Sequence, residues 1–352
     1  MIMSNKGEAQ VGVTLVGEGT APGVVRTVTG GRVAVDTGDR IEVYDQQAFL
    51  TGARSALYSV CLPPKAKATL APDGSVIMAE GSAIRAVDAD GSTRWTLPHD
   101  PWHGGDRAPR APGFPAVAPD STLVSVLAPT LVDDDSRAVL VRDEPRVRYG
   151  ADMLLLLDTA SGAIRARRPV ASVASGVSQH WQPDGATLVL SCWTPWASWS
   201  TWWIDPHTDD MALRGGTRMR EVSGSLPASD RVLTIRRAES MAYQDDRDEL
   251  ALHEATTGEQ VALFDLEELA ADPDYDEFDD AHVLDSDHVL VTGKLNPQGR
   301  TPEICHWLFQ AAALQPLGRL RYPAPVSMDV TPLGDGTWLT RHDGQLHHWA
   351  LA

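Results

Sequence analysis

From about residue 24 onward the chain is a succession of short stretches in which apolar and polar side chains alternate, each closed by Gly, Pro, Asp or Ser. A period of two is the signature of a strand with one side buried. A tight-turn signal recurs between such stretches: LAPDGSVIM at 70–78, VAPDSTLVSVL at 117–127 and WQPDGATLVL at 181–190. Looser copies are LPASDRVLTI at 226–235, VLDSDHVLV at 283–291 and VTPLGDGTWLT at 330–340, and VVRTVTGGRVAV supplies an N-terminal version with Gly-Gly at the turn. Asp and Gly suit the positive φ that a two-residue hairpin demands. A second signal follows each copy. An apolar strand ends on an acidic residue, as at Asp45, Asp88, Asp158, Asp205 and Glu254, and another turn and strand follow. Hardly any segment shows a 3.6-residue period, so a helical architecture is excluded.

Counting these signals gives seven units, each reading strand, turn, strand, loop, strand, turn, strand. The expected units are 22–62, 66–97, 113–169, 176–214, 222–264, 280–320 and 326–352. The last unit supplies three strands, and an orphan strand, VGVTLVG at 11–17, precedes the first. Both oddities are explained by one all-β domain: a seven-bladed β-propeller of four-stranded antiparallel blades, closed by the N-terminal strand completing the last blade. Closure of this kind also pairs edges that would otherwise invite association. The PDG first turns at 72–74 and 183–185 and the D-x-x-S-G third turn at 158–162 resemble those of the WD-repeat-like propellers. The Gly-His and Trp-Asp dipeptides of true WD repeats are absent, so the resemblance is one of architecture. It implies a non-catalytic interaction module.

In antiparallel blades the first and third connections lie on one face of the ring, and the second and inter-blade connections on the other. Most long insertions belong to the second set: 98–113, 128–152, 192–201, 238–248, 265–281 and 294–302. Long loops on a rigid ring are where binding and catalysis collect. Loop 192–201 is the most unusual, because SCWTPWASWSTWWIDP carries five of the chain's eleven tryptophans. Alignment with LLLLDT puts Trp202 and Trp203 at strand positions, where packing accounts for them. Trp193, Trp196 and Trp199 fall in or beside the connection, and three indoles there form either a lid on their own blade or an aromatic surface for a ligand or partner. Trp102 and Tyr149 on neighbouring loops could extend that surface, and Arg146 and Arg148 either offer guanidiniums for a carboxylate or phosphate or sit in an exposed charged hairpin paired with Asp133, Asp134 and Asp135. His103, with His99, Asp100 and Asp106, has metal-ligand chemistry but no metal-site spacing, so no metal is assigned. His180 sits beside Trp181 in an innermost strand, facing the channel or the packing between blades.

Charge and cysteine content narrow the partners. The net charge of −18 argues against nucleic acid. Nine acids and no base lie between 265 and 280, which reads either as a solvated acidic loop or as a docking patch for a basic partner. DPDYDEFDD begins like a calcium loop but lacks its Gly and its twelfth-position Glu. Cys61, Cys192 and Cys305 are odd in number and widely spaced, which suits a reducing compartment. No apolar run is long enough for a signal peptide or membrane span, so a cytoplasmic location is expected, without membrane contact. No nucleotide-binding or nucleophile motif calls for a cofactor. Two functional readings remain open. One is a scaffold that binds a protein, a basic one where the acidic loop is used, through its insertion-rich face. The other is a propeller that binds or transforms an aromatic or apolar small molecule in a pocket between loops 98–113, 128–152 and 192–201.

Overall fold

The computed structural model describes residues 9–20, 22–102, 112–129, 131, 152–170, 177–193, 199–227, 229–236, 248–270, 277–295 and 302–352. They form seven four-stranded antiparallel blades. From the axis outward, the first is Val24–Thr29, Arg32–Asp36, Arg40–Asp45 and Tyr58–Cys61. The second is Lys67–Leu70, Val76–Ala79, Ala83–Val87 and Thr93–Pro98. The third is Ala116–Val117, Leu123–Ala128, Asp152–Asp158 and Ile164–Val170. The fourth is Val177–Trp181, Leu188–Trp193, Trp199–Ile204 and Leu213–Arg218. The fifth is Glu221–Ser225, Arg231–Arg236, Glu249–Glu254 and Gln260–Asp265. The sixth is Glu277–Val283, His288–Leu295, Glu303–Gln310 and Gln315–Arg321. The seventh takes Val330–Pro332, Trp338–His342 and Gln345–Leu351, and its outer strand is Gln10–Thr20 from the N-terminus.

The closing strand does more than complete a blade. Val13 to Thr20 pair antiparallel with Leu351 to Gln345, while Gln10 to Gly12 pair in parallel with Arg319 to Arg321 of the sixth blade. One strand therefore bridges two blades, fusing them into an eight-stranded sheet. It begins one residue earlier and ends three later than the 11–17 read from the apolar pattern.

Packing follows the period of two. Along His288–Leu295, Val289 and Val291 join the cluster between the fifth and sixth blades, and Leu290 joins the cluster between the sixth and seventh. Each of the seven seams has such a cluster. Two seams use a tryptophan against a third-turn glycine. A Cβ on Gly162, at φ +69, would stand 2.6 Å from the Trp95 ring, and one on Gly258, at φ +73, would stand 2.8 Å from the Trp203 ring. Trp95 also donates its indole N–H to the Thr159 carbonyl at 2.8 Å.

The acid that ends the third strand acquires a common role. Asp88, Asp158 and Asp205 accept from Arg94, Arg165 and Arg214 on the neighbouring outer strand, and Glu254 accepts from Arg231. Two expectations about connections need correction. The third connection of the first blade is not short: it carries a helix, Gln46–Leu50, capped by Asp45 and anchored by buried Phe49 against Tyr44. The acidic stretch is only partly loop. Glu277–Val283 forms the inner strand of the sixth blade, because Phe278 and Ala281 are buried in the adjoining seam.

Candidate functional site

The seam between the fourth and fifth blades differs from the rest. Among the described residues its apolar cluster is the smallest of the seven, Val189, Trp203, Val222, Val232 and Ala255, where the fifth–sixth seam has fifteen buried members. Polar side chains fill the difference. Thr201 donates its hydroxyl to the Arg220 carbonyl at 2.6 Å and lies 2.5 Å from the Ser191 hydroxyl. Ser191 in turn accepts from the Val222 N–H at 2.7 Å. Thr201 has spent its only proton, so the chain runs one way: Val222 N–H to Ser191, Ser191 to Thr201, Thr201 to the Arg220 carbonyl. Lower in the seam, His253 gives its Nδ1 proton to the Gly258 carbonyl and accepts at Nε2 from Thr234, each at 3.0 Å. Burial holds this imidazole neutral, down to about 4.

That relay fixes the sharp crossing from one blade to the next. Only Met219 and Arg220 separate the strands, and Met219 is held at φ +61, a conformation that L-residues adopt at a cost. Its N–H is tied to the Trp199 carbonyl at 2.7 Å and its sulfur lies 4.0 Å from Arg236 Nη2. Buried Arg220 pairs with Glu249, which also lies 3.8 Å from Arg236 Nη1. Burial pulls the Arg220 guanidinium below its ordinary range, against the pull of Glu249. Arg220 and Arg236 thus both approach the Glu249 carboxylate.

Trp193 and Trp199 stand above this cluster, as the terminal residues of their strands rather than in the connection between them. They face each other in the last register pair, rings edge to face with centroids 5.9 Å apart at 84°, and both stay half-buried. Trp202 and Trp203 divide between seams as strand neighbours must. Trp203 is fully buried beside His253, and Trp202 packs, partly exposed, against the third–fourth seam. Trp102 is committed elsewhere: its N–H donates to the Glu80 carbonyl at 3.2 Å and its ring packs on the third–fourth seam. Trp181 likewise belongs to that seam, donating to the Ala116 carbonyl at 3.1 Å.

His180 lies on the inner strand of the fourth blade, where burial lowers its pKa and Asp280, on the inner strand of the sixth, raises it. His103, Arg146, Arg148, Tyr149 and Trp196 lie outside the described residues, as do most of loops 98–113 and 128–152 and the centre of 192–201. Among the described residues no group of three or more His, Cys, Asp or Glu is disposed to hold a metal, and no helix is long and apolar enough to cross a membrane. The seam relay, Met219, Arg220, Arg236 and Glu249 escaped sequence reasoning. They are scattered over four strands and one inter-blade crossing, and no linear spacing connects them.

The whole architecture defines the class: a seven-bladed β-propeller with WD-repeat-like turns. No family model and no curated protein matches the sequence. Solved structures that match include the β-propeller domain of Cps50 (Swd1) from Myceliophteria thermophila, with 11% identity over 97% of this chain and 100% of that one, at a TM-score of 0.55. The dihydro-heme d1 dehydrogenase NirN in complex with DHE matches at 14% identity and a TM-score of 0.52, over 93% of this chain and 62% of that one. At such identities the likeness is one of fold.

Proposed function

We propose that this chain is an interaction module, a rigid ring that receives a protein partner on the face where its long connections gather. The observation that carries the reading is the half-buried Trp193–Trp199 pair standing beside the Arg220–Glu249–Arg236 cluster at the crossing between two blades. Paired indoles with a nearby guanidinium are the side chains in which interface energy concentrates. His253 and His306 have both ring nitrogens engaged by internal partners, so neither is poised to move a proton.

The test is affinity capture from native lysate with the full chain as bait, alongside two variants. Trp199→Ala alters the insertion-rich face, and Asp184→Lys alters an exposed turn on the opposite face. A partner retained by Asp184→Lys and weakened at least tenfold by Trp199→Ala is the expected result. A partner lost with Asp184→Lys and indifferent to Trp199→Ala would overturn the assignment of the face.

A further inference from the structure

The seam closed by the N-terminal strand holds a cavity of about 710 Å³, at the sixth and seventh blades rather than at the tryptophan pair of the fourth, and its reading does not rest on the partner proposal. It lies where the connection from the sixth to the seventh blade leaves Arg321. Pro302, Ile304, Leu320, Ala324, Pro325 and Val326 give it an apolar lining. Gln10, from the closing strand, and Glu303, Arg319 and Arg321 supply its polar groups. Its volume falls within the range of sites that enclose small molecules.

The charges in this cavity are unevenly spent. Arg319 donates to Glu303 at 2.6 Å and is neutralised there. Arg321 is exposed and has no ion-pair partner among the described residues. The buried groups beneath are fully committed. Trp338 donates to the Tyr322 hydroxyl at 3.1 Å, Tyr322 donates to His306 Nδ1 at 2.7 Å, and His306 Nε2 donates to the Ser327 carbonyl at 3.1 Å. The imidazole therefore has no lone pair or proton to offer a ligand.

We propose that this cavity binds a small organic acid: an apolar chain ending in a single carboxylate, gripped by the Arg321 guanidinium and lined by the prolines and aliphatic side chains. One unpaired guanidinium balances one negative charge, and a dianion would meet the Glu303 carboxylate. The carboxylate–guanidinium pair is the strong, two-pronged kind of hydrogen bond. Binding involves no covalent step. Because Gln10 belongs to the closing strand, the occupant also ties that strand to the sixth blade and stabilises the closed ring by mass action.

Thermal unfolding and tryptophan fluorescence of the full chain test this with octanoate, octanol, octyl phosphate and octylammonium as probes. Octanoate is expected to raise Tm and to bind at least tenfold more tightly than the other three. Arg321→Gln, an exposed substitution that leaves the fold intact, is expected to weaken octanoate at least tenfold, and Glu303→Gln, which frees Arg319, to tighten it. Equal binding of octanol and octanoate, tighter binding of octyl phosphate, or octanoate affinity unchanged in Arg321→Gln would overturn the proposal. A leucine-terminated pentapeptide binding more tightly than octanoate, and only with a free carboxylate, would overturn the small-acid assignment in favour of a peptide terminus.

Discussion

Thr201→Val is the sharpest test of the polar seam, because it removes one hydroxyl and almost no volume. Thr201 is fully buried, and two hydrogen bonds depend on it, from Ser191 and to the Arg220 carbonyl. With valine there, the Ser191 proton and the Arg220 carbonyl both lose their partners in a dry seam. A net hydrogen bond contributes about 1 kcal/mol, and each buried polar group left unsatisfied costs about 1–3 kcal/mol, so a loss of about 3 kcal/mol is expected. A chain of 352 residues unfolds with an entropy of about 0.7 kcal/mol/K, which converts that loss into a Tm lowered by about 4 °C. Ser191→Ala orphans the Val222 N–H and should cost a similar amount. The relay acts as one unit, so Ser191→Ala with Thr201→Val together should cost at least about 1 kcal/mol less than the sum of the two. Scanning calorimetry with urea titration measures all three. A Thr201→Val protein within about 0.5 kcal/mol of the parent, or strict additivity, would refute the directional relay.

Gly162→Ala should destabilise by several kcal/mol, since a side chain there combines φ +69 with a Cβ 2.6 Å from Trp95; unfolding midpoints that match the parent would contradict the seam. Removal of residues 1–20 strips the outer strand from the seventh blade and should yield a chain that associates through its bared edges, measured by light scattering; a stable monomer would show that the ring closes without it. Acid should weaken the fold before its carboxylates protonate. Folded His253 and His306 titrate near 4 and 3, against an ordinary 6.5, so only the unfolded chain gains their protons in between. Their contribution is complete above about pH 6.5 and is lost as pH falls toward 4 and then 3; a urea midpoint flat from pH 7.5 to 5 would contradict this.

The sequence carried the blades because strands and tight turns are local. PDG at 72–74 and 183–185 needs only its own neighbours to turn, and the missing fourth strand of the last unit pointed to closure from the N-terminus. What stayed hidden is non-local or too short to show a period. The five-residue helix at Gln46–Leu50 covers little more than one turn. The parallel pairing of Gln10–Gly12 with Arg319–Arg321 joins segments about 309 residues apart. The acids around Phe278 made the start of the sixth blade's inner strand read as loop. At the candidate site, Trp203 was legible as packing. That Trp193 and Trp199 close a hairpin rather than ride in it depends on their register, which composition does not encode.

If partners dock on the insertion-rich face, hydrogen–deuterium exchange of the full chain with a captured partner should show where. Added protection is predicted in Leu188–Trp193, Trp199–Ile204 and Arg231–Arg236, close to the Trp193–Trp199 pair, with the first turns at 72–74 and 183–185 unchanged. Protection confined to those first turns, with the tryptophan-bearing strands unaffected, would contradict the central claim.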